Sequence, residues 1–129
     1  MYYLTALYGH SRSDGDTNPF KRIQAVDLRS AKTYARLFGG AFVTHGIGSF
    51  MDEAGRIMLE NCSFLHCLAH TVTDENWKDL TRLATGIGET LGQESVLLAK
   101  LETEGHMELV SSYGVPIGSG RRVWQPAAS

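Results

Sequence analysis

The stretch from Gly46 to His70, GIGSFMDEAGRIMLENCSFLHCLAH, constrains the fold more than any other part of the chain. It reads as a β-hairpin: an approach strand ending near Phe50, a turn at Asp52-Glu53-Ala54-Gly55, and a long return strand from Arg56 to about Thr71. Alternation puts Glu60, Cys62, Phe64, His66 and Leu68 on one face of that strand, and Leu59, Asn61, Ser63, Leu65, Cys67 and Ala69 on the other. Neither face is plainly aqueous. One is expected to lie under helices, and a subunit interface is the simplest cover for the other. Glu60 stands as a lone carboxylate between apolar runs. Ionised carboxylates are rarely buried unless paired, so Glu60 has a partner, has a function, or faces water on an open face.

The elements around the hairpin follow from composition and period. Residues 1–10, MYYLTALYGH, are apolar on both alternating faces, which predicts a central strand. Residues 11–26 are rich in Ser, Asp, Gly, Asn and Pro and read as a long loop, a candidate lid. Asp27 or Ser30 is expected to cap a short helix with Ala31, Tyr34, Ala35 and Phe38 as its apolar stripe, ended by Gly39-Gly40. Ala41 to Phe50 reads as the second strand, where Gly46 and Gly48 suggest a bulge or the close approach of another group. Thr73 or Asp74 starts a second helix with the stripe Trp77, Leu80, Ala84, Ile87 and Leu91, which Gly92 ends. A fourth strand over Ser95–Glu102, a Thr103–His106 turn and a short fifth strand over Met107–Val110 complete the chain's main part. The order predicts an α+β, ferredoxin-like (PII-like) sandwich, an antiparallel sheet with two helices on one face and a C-terminal hairpin. Residues 1–110 are read as one domain and 111–129 as a C-terminal extension or tail.

The chain has 129 residues and a formal net charge of −2, sizes and charges that suit a single core and leave no electrostatic footprint for nucleic acid or an anionic membrane. No apolar run approaches the length of a membrane span, and the N-terminus lacks the basic and apolar regions of a secretory signal. Cys62 and Cys67 lie on opposite strand faces and cannot bridge each other, so they read as reduced thiols of a cytoplasmic protein.

Chemistry-bearing patterns are few. His66 and His70 are separated by roughly 13 Å of strand rise and make no chelating pair, so no metal and no cofactor is expected. His45-Gly-Ile and His70-Thr-Val fail the two-histidine phosphoesterase pattern. The two Gly-Ile-Gly tripeptides continue as SFM and ETL, which fit no phosphate-binding loop, and no Ser or Cys sits in a nucleophile elbow. What remains is Glu60, and Gln93-Glu94 just before the apolar run Val96-Leu97-Leu98. The plain reading of Gln93-Glu94 is a helix-to-strand connector. If the third and fourth strands share a sheet, Glu60 and Glu94 lie near one rim.

At these positions the chain resembles the phage S-adenosylmethionine lyases, formerly called S-adenosylmethionine hydrolases. The resemblance spans roughly residues 2–110. It rests on the opening strand YYLTALYGHSR, on Gly48-Ser49-Phe50 followed by Glu60, on the second helix, and on Gln93-Glu94-Ser95-Val96-Leu97. Where the family has a tyrosine this chain has Phe50. The resemblance implies a homotrimer with sites between subunits, S-adenosylmethionine as substrate, and a host-cytoplasm location for a phage-encoded protein. The implied reaction yields 5′-methylthioadenosine and homoserine lactone by attack of the substrate's carboxylate on its own Cγ. It implies Glu60 and Glu94 as catalytic residues that orient the ammonium and ribose, and Phe50, Ser49 and Gln93 as substrate-binding residues. The same sheet equally suits a non-catalytic PII-like trimer that binds a small ligand or a partner, or an antagonist of host defence that works by binding.

Overall fold

In the computed structural model, which describes residues 1–104, the elements run β1 (Tyr2–Gly9), α1 (Phe20–Phe38), β2 (Phe42–Met51), β3 (Ile57–Ala69), α2 (Asp74–Leu91) and β4 (Leu97–Glu102). The strands pair antiparallel in the order β2-β3-β1-β4, the ferredoxin-like arrangement anticipated from the element order. β1 is central, as its two apolar faces require. The second half of the expected Thr103–His106 turn, the fifth strand, the C-terminal hairpin and the tail, with the division at residue 110, lie outside the described residues.

Both helices cover the same face. Leu4, Ala6 and Tyr8 of β1 and Leu65, Cys67 and Ala69 of β3 form its floor, under the buried stripes of α1 and α2. In α2 that stripe is Leu80, Leu83, Ile87 and Leu91. Leu83, not Ala84, carries the buried contact, because the larger side chain removes more apolar surface from water. Thr73 and Asn76 form a reciprocal capping box at the start of α2, and Gly92 ends it in the left-handed conformation (φ 67°).

α1 begins far earlier than composition suggests. It starts at Phe20 after Pro19 and buries Ile23, Val26, Ser30, Tyr34 and Phe38. Asp27 and Ser30 are therefore interior residues, not caps. Ser30 sits in the core at no cost in unpaired polarity, because its hydroxyl donates to the Val26 carbonyl at 2.8 Å. The connection before the helix is correspondingly short. It is closed by a bridge between Ser11 and Thr17 and anchored by buried Asn18, whose side-chain amide donates to the carbonyls of His10 (3.0 Å) and Leu91 (2.8 Å). A segment held in this way is a stitched loop, not a lid spanning residues 11–26.

The β2–β3 hairpin turns where expected, with Asp52 accepting the backbone N–H groups of Ala54 and Arg56 and Gly55 at φ 80°. Its register runs unbroken from Phe42↔His66 to Met51↔Ile57, so the expected bulge at the glycines is absent. The other expectation, close approach, holds at Gly48, where a Cβ would come within 2.8 Å of the Cys62 sulfur. β1 joins β3 only from Cys62 onward. Among the described residues, 57–61 of β3 therefore have β2 as their sole strand neighbour and form a two-stranded arm beyond the body of the sheet.

Candidate functional site

The register sorts the expected site residues by face. Gly9 pairs with Cys62, and Gly48 with Glu60, so Gly9, Gly48, Phe50 and Glu60 all belong to the face opposite the helices. Phe50 is diagonal to Glu60 across the hairpin and about half exposed. Ser49 points to the helix-side face and is the one expected residue that the register sets apart from Glu60.

Glu60 leans from β3 over the end of β1. Its Oε2 accepts the Ser11 backbone N–H at 3.2 Å. Gln93 reaches the same segment from the opposite edge: its Oε1 accepts the Gly9 N–H at 3.2 Å and its Nε2 donates to the Ser11 carbonyl. The β1–β4 ladder ends at Leu7↔Leu97, and the Gln93 amide takes over the role of β4's backbone for the next residues of β1. The side chains singled out on β3 and on the α2–β4 connector thus grip one short backbone segment, Gly9–Ser11. Gln93 spends both ends of its amide on that grip, which makes it a brace in this structure.

Glu94 is exposed beside Gln93 and has no hydrogen bond or ion pair among the described residues. With Ser13, Glu89, Gln93, Val96 and Leu98 it lines an open cleft of about 850 Å³ between α2 and β4. Among the described residues its lining has two carboxylates and no basic side chain. Glu60 lies outside the cleft, on the sheet face opposite the helices. The Arg12 guanidinium packs against Gly92 at the edge of the cleft and pairs with Asp14.

Below the Gly9–Ser11 segment, on the helix side, lies a polar network with no recognised motif in the sequence. Tyr8 donates its hydroxyl to Asp27 Oδ1 at 2.6 Å, and His45 Nε2 meets Asp27 Oδ2 at 2.6 Å. His10 packs edge-on against His45, with ring centres 5.2 Å apart, and its Nε2 lies 2.8 Å from the Ser63 hydroxyl. Asp27 holds His45, not His10, and Ser63 is fully buried, so the group is no nucleophilic triad. Burial and the neighbouring His45 lower the His10 pKa below its ordinary value, against the opposing pull of Asp27 and Glu60. Its parts come from α1, β1, β2 and β3 and meet only through the fold. The misplaced start of α1 hid Asp27's inward position.

The remaining polar groups do other work. His66 is held on the open sheet face between the Tyr3 hydroxyl and the Thr44 hydroxyl (3.0 Å), with Phe42 stacked on its ring. Burial raises the thiol pKa of both cysteines, that of Cys67 to about 12, and both are free. Among the described residues no group of three or more His, Cys, Asp and Glu side chains is placed to hold a metal ion, and no helix is long and apolar enough to cross a membrane.

No protein-family model matches the chain, and no curated protein matches it. Among solved structures, it is similar to a phage SAM lyase in complex with S-methyl-5'-thioadenosine, at 13% identity and TM-score 0.57, over 99% of this chain and 89% of that one. The same comparison with a phage SAM lyase in the apo state gives 14% identity and TM-score 0.58 at equal coverage. The periplasmic divalent cation tolerance protein CutA from Archaeoglobus fulgidus is similar at 9% identity and TM-score 0.52, over 83% of this chain and 88% of that one. At these identities the likeness establishes a shared ferredoxin-like fold.

Proposed function

We propose that this protein is an S-adenosylmethionine lyase that cleaves its substrate to 5′-methylthioadenosine and homoserine lactone. The observation that carries the reading is the convergence of Glu60 and Gln93 on the Gly9–Ser11 segment, with Glu94 beside Gln93. In this reading the carboxylates of Glu60 and Glu94 offset the substrate's positive charge. The likeness in fold to a phage SAM lyase bound to S-methyl-5'-thioadenosine supports the same reading.

The chemistry asks little of the protein. The substrate's α-carboxylate is already ionised and its leaving group is already a sulfonium, so neither a general base nor a general acid is obligatory. The carboxylate oxygen bonds to Cγ, the Cγ–S bond breaks, and its electron pair neutralises the sulfur as the thioether leaves. No water and no cofactor enters the balance. Holding the methionine moiety folded for in-line attack lowers the barrier by several kcal/mol, an effect of geometry alone. Glu60 and Glu94 bind the ammonium and ribose groups, and Phe50 lines the sulfonium by cation–π contact. Ser49 takes part only from the far face of the hairpin, and Gln93 acts chiefly by bracing the rim.

The site is completed by self-association as a homotrimer. The arm exposes Phe50 and Met58 on the Glu60 face and Ile47, Ile57 and Leu59 on the other, large apolar side chains that further copies would cover.

Incubating the purified protein with S-adenosylmethionine and separating the products by chromatography tests the reading. Release of methylthioadenosine by the parent protein, and its loss in a Glu60→Gln protein of unchanged assembly state, is the expected result. Stoichiometric binding without product would favour the second reading, a non-catalytic ligand-binding protein, for which the likeness in fold to CutA speaks.

A further inference from the structure

We propose that Gly9 is a positioning residue for Glu60: its missing side chain is the cradle in which the Glu60 carboxylate lies. The proposal rests on the role of Glu60 in the lyase reading and deepens it by naming what aims that carboxylate.

A Cβ on Gly9 would come within 2.2 Å of Glu60 Oε1, 2.3 Å of Cδ and 2.5 Å of Oε2. These are overlaps, so a side chain at position 9 and the present position of the carboxylate exclude each other. The need for glycine here is steric. Among the described residues the glycines of positive φ are Gly15, Gly39, Gly55 and Gly92, and Gly9 is an ordinary strand residue whose backbone any amino acid adopts. A second observation shows that the cradle is built. Ser11 N–H holds Oε2 from one side, and the Gln93 amide pins the Gly9 N–H and the Ser11 carbonyl from the other. The carboxylate therefore rests on a backbone that cannot shift without breaking the Gln93 brace. The far end of a flexible Glu side chain yields more easily than a central strand, so a methyl group at position 9 evicts the carboxylate and leaves the sheet in place.

This predicts an uncommon combination for Gly9→Ala. Strand Gly→Ala replacement at a compatible φ leaves thermal stability equal or slightly raised. Activity nevertheless falls, on the order of tenfold or more in kcat/KM, because a displacement of about 1 Å at a positioning group suffices for such losses. The changes in kcat and KM should divide in the same way as those of Glu60→Gln.

The test compares the parent with Gly9→Ala, Glu60→Ala and the double variant by melting temperature, methylthioadenosine release, and the chemical shift of the Ser11 amide proton. In the parent that proton carries the downfield shift of its hydrogen bond to Glu60 Oε2. In Gly9→Ala the shift is lost, as it is in Glu60→Ala. If Gly9→Ala fails to fold but the double variant folds, the clash with Glu60 is the cause and the proposal stands. If both fail, or if Gly9→Ala keeps the parental Ser11 shift, the proposal is overturned. A parent that never releases methylthioadenosine sinks the lyase reading, while the Ser11 shift still decides the cradle.

Discussion

The hydroxyl of Tyr34 is fully buried and has no hydrogen-bond partner among the described residues, a position that carries a desolvation cost without return. Tyr34→Phe removes that cost and leaves a gap of one oxygen. The expected result in urea unfolding is a neutral to stabilising change of about 1 kcal/mol, and a loss of stability would show that the hydroxyl is satisfied after all. His10 makes the opposite kind of prediction. Its pKa is lowered in the fold from an ordinary value of 6.5, so between the two values the unfolded chain binds more protons. Stability is therefore fully present above about pH 6.5 and falls with pH until the lowered folded value is passed. The groups facing His10 are His45 of β2, Asp27 of α1, and Glu60 and Ser63 of β3. Unfolding free energies measured from pH 8 to pH 5 should show this slope, and His10→Gln should flatten it. An unchanged slope would assign the effect to another group.

At the scale of elements, the β2–β3 arm is the least self-sufficient part of the fold. A two-stranded ribbon is marginal in water, and this one presents Ile47, Ile57 and Leu59 on one face and Phe50 and Met58 on the other. Each such side chain stabilises a contact by about 1.5–3 kcal/mol when fully covered. Leu59→Asp is expected to shift sedimentation from an assembly to the monomer while circular dichroism stays parental; a parental sedimentation coefficient would remove the arm from the interface. The hairpin, α2 and the ladder of strands were legible because their signals are local: period, turn residues and a capping threonine. The first three turns of α1 were not. Ile23 and Val26 are the only large apolar residues buried there before Ser30, Phe20 and Leu28 being exposed, and the burial of Ser30 depends on a hydroxyl bond back to Val26 that composition does not reveal. The same limit applied at the site. Glu60 and Gln93 stood out as polar residues beside apolar runs, but Gly9, Asp27 and His10 acquire their partners only through strand register and helix placement.

For the whole molecule, the sheet has one face sealed by helices and one that bears aromatic and aliphatic side chains, with the acidic cleft and the Gly9–Ser11 rim at one end. The fold alone serves both catalysts and binding proteins, so function must be read from the rim. The central claim is that the rim promotes an intramolecular displacement. The direct measurement is a reaction with S-adenosylmethionine in water labelled with heavy oxygen, followed by mass spectrometry of the products. The account predicts methylthioadenosine together with unlabelled homoserine lactone, and no label in the γ-oxygen of any homoserine formed when the lactone later opens. Label in that γ-oxygen, or the absence of both products, would contradict it.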